Sequence, residues 1–230
     1  MPKGSASTTV VVTDNDLTPA DLAKTCTLLY QERSRLSLLK QHWRPYICPF
    51  HRLLPLVPAN ADILDVGCGS GVFLGLLAHY GQICRGTGFD SDRYAIGLAQ
   101  QMTIHLPLAD ILRFEQRHAS EDWPNGSFDV VSILDVMHHI PKSEQRQIVE
   151  SAAARLQPGG LLIYKDMVEK PHWRAWANRC HDLILSQDWI NYVPIDVVEK
   201  WSREAGLLPI GRGSENMFWY GHDWLVCRQP

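Results

Sequence analysis

The segment Asp65-Val66-Gly67-Cys68-Gly69-Ser70-Gly71 sets three glycines at alternate positions behind a carboxylate. Glycine has no Cβ, so such a segment lets backbone amides approach a ligand closely and take up positive φ. Ahead of it Ile63-Leu64-Asp65-Val66 reads as a buried strand, and behind it Val72-Phe73-Leu74-Gly75-Leu76-Leu77 opens a helix. Strand, glycine loop and exposed helix N-terminus together form a crevice suited to a nucleotide-like ligand. A second group with chemistry is His138-His139, with Asp135 just before it and Asp166 further along. Imidazole titrates near neutral pH and can take a proton from a hydroxyl; the plainer role is to cap or pack against the following helix. Cys68, between two glycines, reads as a small filler that offers its backbone rather than as a nucleophile.

These residues need a scaffold, and the pattern around them supplies one. From Ala61 onward short apolar runs alternate with helical stretches: strands at 62–66, 83–89, 111–114, 128–134 and 161–166, helices near 72–80, 92–102 and 143–156. Such alternation predicts a doubly wound, mostly parallel α/β sheet with helices on both faces. Gln157-Pro158-Gly159-Gly160 reads as the turn into the fifth strand. Upstream, Thr18-Pro19-Ala20-Asp21 is a helix start, predicting a helix to about Trp43 that Pro45 interrupts. A shorter helix carrying Phe50, Leu53 and Leu54 follows, stopped by Pro55 and Pro58. Downstream, helices are expected from Pro171 and from Pro194, the latter closed by Gly206. The stretch from Gly206 to Gln229 reads as an antiparallel hairpin at one sheet edge, turning at its Gly, Ser, Glu and Asn residues. The expected organisation is a loose tail over 1–17 and one domain over 18–230: a helical cap at 18–58, a core at 59–168, and further helices with the hairpin at 169–230.

Spacing narrows the ligand. A dinucleotide fingerprint is GxGxxG, whereas here the third glycine comes one residue early, at Gly71. The pattern DxGxGxG resembles motif I of the class I S-adenosylmethionine-dependent methyltransferases, which have a seven-stranded sheet of this kind. Three further blocks fall in the family's order: Gly86-Thr87-Gly88-Phe89-Asp90, NGSFDVVSILDVMHHIP and LQPGGLLIYKD. The likeness spans roughly residues 60 to 168. It implies S-adenosylmethionine as cofactor, bound by Asp65, Gly67, Cys68, Gly69 and Gly71, with Asp90 and neighbouring Ser91 at the ribose and backbone near Leu134 at the methionine end. Where the family often sets an acidic residue and then a small one near adenine, this chain has His118-Ala119, with Glu121 and Asp122 a few residues on. Either His118 or Ser120 then meets adenine. The acceptor end of the resemblance falls at His138, His139 and Asp166; one of these is expected to act as a base, and Asp135 and Asp166 could equally serve structure or the cofactor amine.

Composition fits this picture and excludes others. At 230 residues, 45% hydrophobic and 20% charged, the chain is an ordinary globular protein. A net charge of −3 with no basic block gives no footprint for nucleic acid, so a small-molecule substrate is expected. The six cysteines are scattered without a CxxC pair, and His172 and His181 lack a third ligand at useful spacing, so no metal is expected. No apolar run approaches a membrane span or a secretory leader, making the cytoplasm the default location, and nothing sets an oligomeric state. Trp173, Trp176, Trp189, Trp201, Trp219 and Trp224, with Tyr192, Phe218 and Tyr220, could form an aromatic lid, which suggests an aromatic hydroxyl acceptor. Two other classes stay open: a nicotinamide-dependent oxidoreductase, which would want GxGxxG, and a non-catalytic member of the fold that binds cofactor or a partner.

Overall fold

The computed structural model describes residues 17–30, 35–104, 110–168, 191–218 and 220–230. Its centre is β1 (Ala61–Val66), a strand buried at every position. Such a strand needs cover on both faces, which is why Ile63 and Leu64 are apolar at successive positions, while its two buried carboxylates, Asp62 and Asp65, take hydrogen bonds from Arg85 and Ser132. Around it stand β2 (Ile83–Asp90), β3 (Leu112–Gln116), β4 (Phe128–Leu134), β5 (Leu156–Met167), β6 (Leu208–Met217) and β7 (Tyr220–Arg228). They form one seven-stranded sheet in the order β3-β2-β1-β4-β5-β7-β6. The first five strands are parallel, and β7 runs antiparallel to both β5 and β6.

Successive strand residues face opposite ways, so each strand feeds two cores. Ile63, Val130, Ile163 and Val226 point into the layer formed with α1 (Pro19–Leu29), α3 (Phe50–Leu53), α4 (Val72–His79) and α5 (Arg93–Ile104). Leu64, Val131, Leu162 and Leu225 point into the other, against α6 (Lys142–Ala154) and α7 (Ile195–Glu204). After β1 the chain winds to β2 and β3, then crosses back to β4 and β5 on the other side. The strand order therefore reverses between β1 and β4, and a ligand crevice opens at the carboxyl ends of those strands.

The doubly wound sheet, its flanking helices and the edge hairpin accord with the sequence reading, while three local expectations are corrected. In place of one N-terminal helix there are α1 and α2 (Arg35–Ile47), and Pro45 lies inside α2. The proline sits in the last turn, where Cys48 N–H still donates to Arg44 O at 2.9 Å and the helix closes normally. The Gln157 to Gly160 segment is a bulge within β5: Phe128 pairs with Leu156 and Val130 already with Leu161. Ser214, Glu215 and Asn216 pair with Asp223, His222 and Gly221 instead of forming the hairpin turn, which comes at Phe218 (φ 53°). A long partner strand supplied ladder hydrogen bonds that outweighed the turn preference of those residues. The tail over 1–16, the helix expected at Pro171, and Trp173, Trp176, Trp189, Trp219, His172 and His181 lie outside the described residues. Among the described residues no helix is long and apolar enough to cross a membrane.

Candidate active site

The glycine loop leaves β1 at Asp65 and ends where α4 begins, with Gly67, Gly69 and Gly71 at φ of 66°, 54° and 80°. At Gly67 a Cβ would stand 2.2 Å from the Val136 side chain, whereas at Gly69 it would meet nothing within 4 Å. Gly67 thus serves close packing and Gly69 an open cradle. Gly71 caps α4 against Phe114 and takes no part in lining the crevice. Asp90, at the end of β2, accepts Gly69 N–H at 2.9 Å on one oxygen and Asp92 N–H at 2.8 Å on the other. A carboxylate has about four acceptor positions, so two remain for a ligand. The N-terminal helices hold the loop as well: Ser70 Oγ donates to Gln41 Oε1 at 2.9 Å, and Tyr30 OH to Ser70 O at 2.6 Å.

A cavity of about 520 Å³ opens on this loop, within the range of small-ligand and cofactor pockets. Asp65, Gly67, Cys68 and Gly69 line it beside Asp90 and Ser91; His118 and Ala119 form a further wall, and Leu134 lies toward the other end. Ser120 turns its hydroxyl to Glu144 and is absent from the lining, as are Glu121 and Asp122. Asp65 is buried and hydrogen-bonded by Ser132 Oγ at 2.6 Å. Burial pushes its carboxyl up to about 7, with Ser132 working against the shift and Asp90 adding to it. Burial likewise pushes the Cys68 thiol well above its ordinary range, with help from Asp65 and Asp90, so it carries no reactive thiolate.

At the other end the chain leaves β4 through Asp135 at φ 57°, an uncommon conformation for a residue with a side chain. Lys165, fully buried on β5, fixes it: Nζ lies 2.6 Å from both Asp135 oxygens, and Asp135 N–H donates to Lys165 O at 2.9 Å. Burial alone would raise the Asp135 carboxyl, but Lys165, then His222, Arg44 and His138, outweigh it and hold it well below the usual carboxylate range. A 3-10 turn over Met137–His139 follows. It is clamped by buried Gln145, whose Nε2 lies 3.0 to 3.1 Å from the carbonyls of Met137, Ile140 and Asn191. His138 is buried in that turn, with Nδ1 2.5 Å from Asp166 Oδ1 and its N–H 3.2 Å from Oδ2. Asp166 therefore stands behind His138 and outside the lining, while His138 and the exposed His139 both border the cavity.

Residues with no sequence signal complete this end. Arg44 from α2 lines the cavity, and its guanidinium makes no hydrogen bond or ion pair among the described residues. His222 from β7 lines it too, together with Met167 and Tyr220. Of the described aromatics expected in a lid, Tyr220 alone reaches the cavity; Trp201 and Trp224 pack against the two cores, and Phe218 is exposed. Among the described residues no group of three or more His, Cys, Asp or Glu is placed to hold a metal ion.

Residues 40–210, three quarters of the chain, match the family model described as a methyltransferase domain. The chain belongs to that family. S-adenosylmethionine is the cofactor of this methyltransferase domain, so the nicotinamide reading falls away. The ubiquinone biosynthesis O-methyltransferase of Alkalilimnicola ehrlichii is 26% identical over 152 residues, 64% of this chain and 60% of that one. The 27-O-demethylrifamycin SV methyltransferase of Amycolatopsis mediterranei is 30% identical over 164 residues, 69% of this chain and 58% of that one. The chain thus spans about three fifths of the length of these curated relatives. The fold is that of a magnesium protoporphyrin IX methyltransferase from Synechocystis solved with S-adenosylhomocysteine (TM-score 0.66, 17% identity, 90% of this chain and 93% of that one).

Proposed function

We propose that this methyltransferase domain transfers the methyl group of S-adenosylmethionine to a hydroxyl oxygen of a small molecule, with an aromatic hydroxyl as the acceptor. The hydrogen bond between His138 and Asp166, set in the wall of the cavity that the glycine loop borders, carries this reading. The two curated relatives named as methyltransferases of oxygen support it, as does the apolar surface that Phe50, Ile140 and Met167 give the acceptor end.

The residues present suit the cofactor group by group. Asp90 has spare acceptor positions for two ribose hydroxyls. His118 and Ala119 border the space for adenine, and the Gly69 cradle takes the backbone approach. A methionine moiety carries an ammonium and a carboxylate, and the cavity offers Asp65 for the first and the uncommitted guanidinium of Arg44 for the second. Backbone at Leu134 faces the same moiety.

When bound, the cofactor supplies a methyl group on a positively charged sulfur. This chain's part is alignment and proton removal. A carboxylate partner makes Nδ1 of His138 the hydrogen-bond donor, leaving Nε2 as the basic nitrogen toward the acceptor hydroxyl. Asp166 is a positioning residue that fixes ring and tautomer. Gln145 holds the turn that carries the imidazole.

Titration calorimetry with S-adenosylhomocysteine tests the binding half: saturable binding is expected, with none for NADH, and a well-folded protein that takes up neither S-adenosylmethionine nor its product sinks the proposal. Asp90→Ala is expected to weaken that binding by about 1.5–3 kcal/mol, the scale of hydrogen bonds to a charged group. Unchanged affinity would mean that the ribose lies elsewhere.

A further inference from the structure

His222 is 1% exposed, lines the cavity, and has neither ring nitrogen hydrogen-bonded among the described residues. Two buried, unpaired polar atoms are costly, on the order of 1–3 kcal/mol for each, and native structures rarely leave them so unless a ligand answers them. The backbone of Ile47 comes near the ring without closing a hydrogen bond to it. Lys165 Nζ is held by both oxygens of Asp135 at 2.6 Å. Burial first, then Lys165, with Arg44 in the same direction, pushes the imidazole down to about 3 against the opposing pull of Asp135. The ring is therefore neutral, with one nitrogen that donates and one that accepts.

The register separates this histidine from the proposed base. His222 pairs with Met167, one residue beyond Asp166, which pairs with Asp223. Neighbouring residues on a strand face opposite sides of the sheet, so His222 and the carboxylate that holds His138 come to the cavity from opposite faces. An acceptor lying across the strand ends between them meets both. One of its oxygens faces His138, and a second oxygen is needed to satisfy His222.

We propose that His222 sets acceptor specificity by hydrogen-bonding an oxygen substituent other than the hydroxyl that is methylated, so that the preferred acceptors are aromatic molecules carrying at least two oxygens. The inference rests on the O-methyltransferase reading above. It makes His222 a contact of the acceptor and neither a base nor a ligand of the cofactor.

The test is equilibrium binding of catechol, resorcinol and phenol to the full chain loaded with S-adenosylhomocysteine, compared for the native protein, His222→Phe and His222→Asn. Native protein should bind at least one of the two diphenols about tenfold more tightly than phenol, the worth of one well-made hydrogen bond in a dry pocket. His222→Phe should bring that ratio close to one while leaving affinity for S-adenosylhomocysteine and for phenol within about twofold, and His222→Asn, which keeps a donor and an acceptor, should restore part of it. A native protein that shows no preference overturns the inference, as does a His222→Phe protein that retains the preference. Loss of S-adenosylhomocysteine binding in both variants overturns it too, by making His222 a residue of the cofactor site. Failure of native protein to bind S-adenosylhomocysteine at all is a different result, and refutes the cofactor reading on which the inference stands.

Discussion

Asp65 and Asp135 flank the same crevice, one near the end of β1 and the other just past β4, yet their surroundings oppose each other. Asp65 has a hydroxyl for a partner and no cation, and burial pushes its carboxyl up to about 7. Asp135 is largely covered too, but Lys165 at 2.6 Å reverses the effect of burial and keeps it ionised. The difference divides the cavity by function. Its cofactor end leaves a carboxylate waiting for a positive group, while at its acceptor end Lys165 matches Asp135 and His138 is hydrogen-bonded to Asp166. An end whose ionisable groups are already paired with one another suits an uncharged acceptor, and leaves hydrogen bonding to discriminate among such molecules.

The largest effect that would sharpen this division is expected at the acceptor end. Asp166→Asn should lower turnover by about 10²–10⁴, the usual worth of general acid–base catalysis, with S-adenosylhomocysteine affinity within about twofold of native. The pH profile separates positioning from folding: the native rate should rise with pH as His138 becomes neutral, and the variant should lose that limb or shift it downward. A variant whose affinity for S-adenosylhomocysteine falls as far as its turnover would erase the boundary between the two ends. Parallel measurement of His139→Ala distinguishes the two histidines, because this neighbour is exposed and stands apart from the carboxylate pairing.

At the cofactor end the expected effect is smaller and appears as a pH dependence of stability. A folded-state carboxyl at about 7 against an ordinary 3.8 means that the native protein binds more protons than the unfolded chain between those values. Stability contributed by that proton is present at low pH and is lost as pH rises through the window, at up to about 1.4 kcal/mol per pH unit. Melting curves of native protein and Asp65→Asn at pH 5 and pH 8 should diverge, with native protein losing more on the way up. Bound S-adenosylhomocysteine, bringing an ammonium, should narrow the gap. Identical pH dependence in the two proteins would mean that Asp65 is already matched and that the contrast with Asp135 is false.

How much of each end was legible in the sequence follows from how it is built. The cofactor end is mostly backbone from contiguous residues, Asp65 to Gly71, joined by Asp90 in the adjoining strand, and backbone geometry leaves its mark as glycines at fixed spacing. The central strands were legible for a related reason, since a strand buried on both faces is rich in apolar residues at successive positions. At the acceptor end His138 and Asp166 stood out by residue type, but Lys165 and His222, like Arg44 on the cofactor's methionine side, had no pattern to mark them. Each is ordinary in its own segment and acquires a role only when α2, β5 and β7 meet. Pairing decided the misses in the fold as well: Ser214 to Asn216 have turn chemistry, and the ladder that β7 supplies overrides it. Where long-range pairing overrules local preference, a single sequence shows only the preference.

The smallest effect tests whether the cofactor end is as self-contained as its sequence suggests. Ser70 belongs to the glycine loop, yet its hydroxyl donates to buried Gln41 of α2 at 2.9 Å, and its carbonyl accepts from Tyr30 OH at 2.6 Å. Ser70→Ala removes the first bond and leaves the Gln41 oxygen without that donor, at a cost of about 0.5–1.5 kcal/mol in thermal unfolding. If the cap merely covers the loop, affinity for S-adenosylhomocysteine will be unchanged while the melting temperature falls. A parallel drop in affinity means that the cap helps to set the loop's shape, which would tie α2 to the cofactor end through Gln41 as well as Arg44. Stability equal to native would show that Gln41 finds another donor, and that the loop holds its conformation through Asp90 and its own backbone alone.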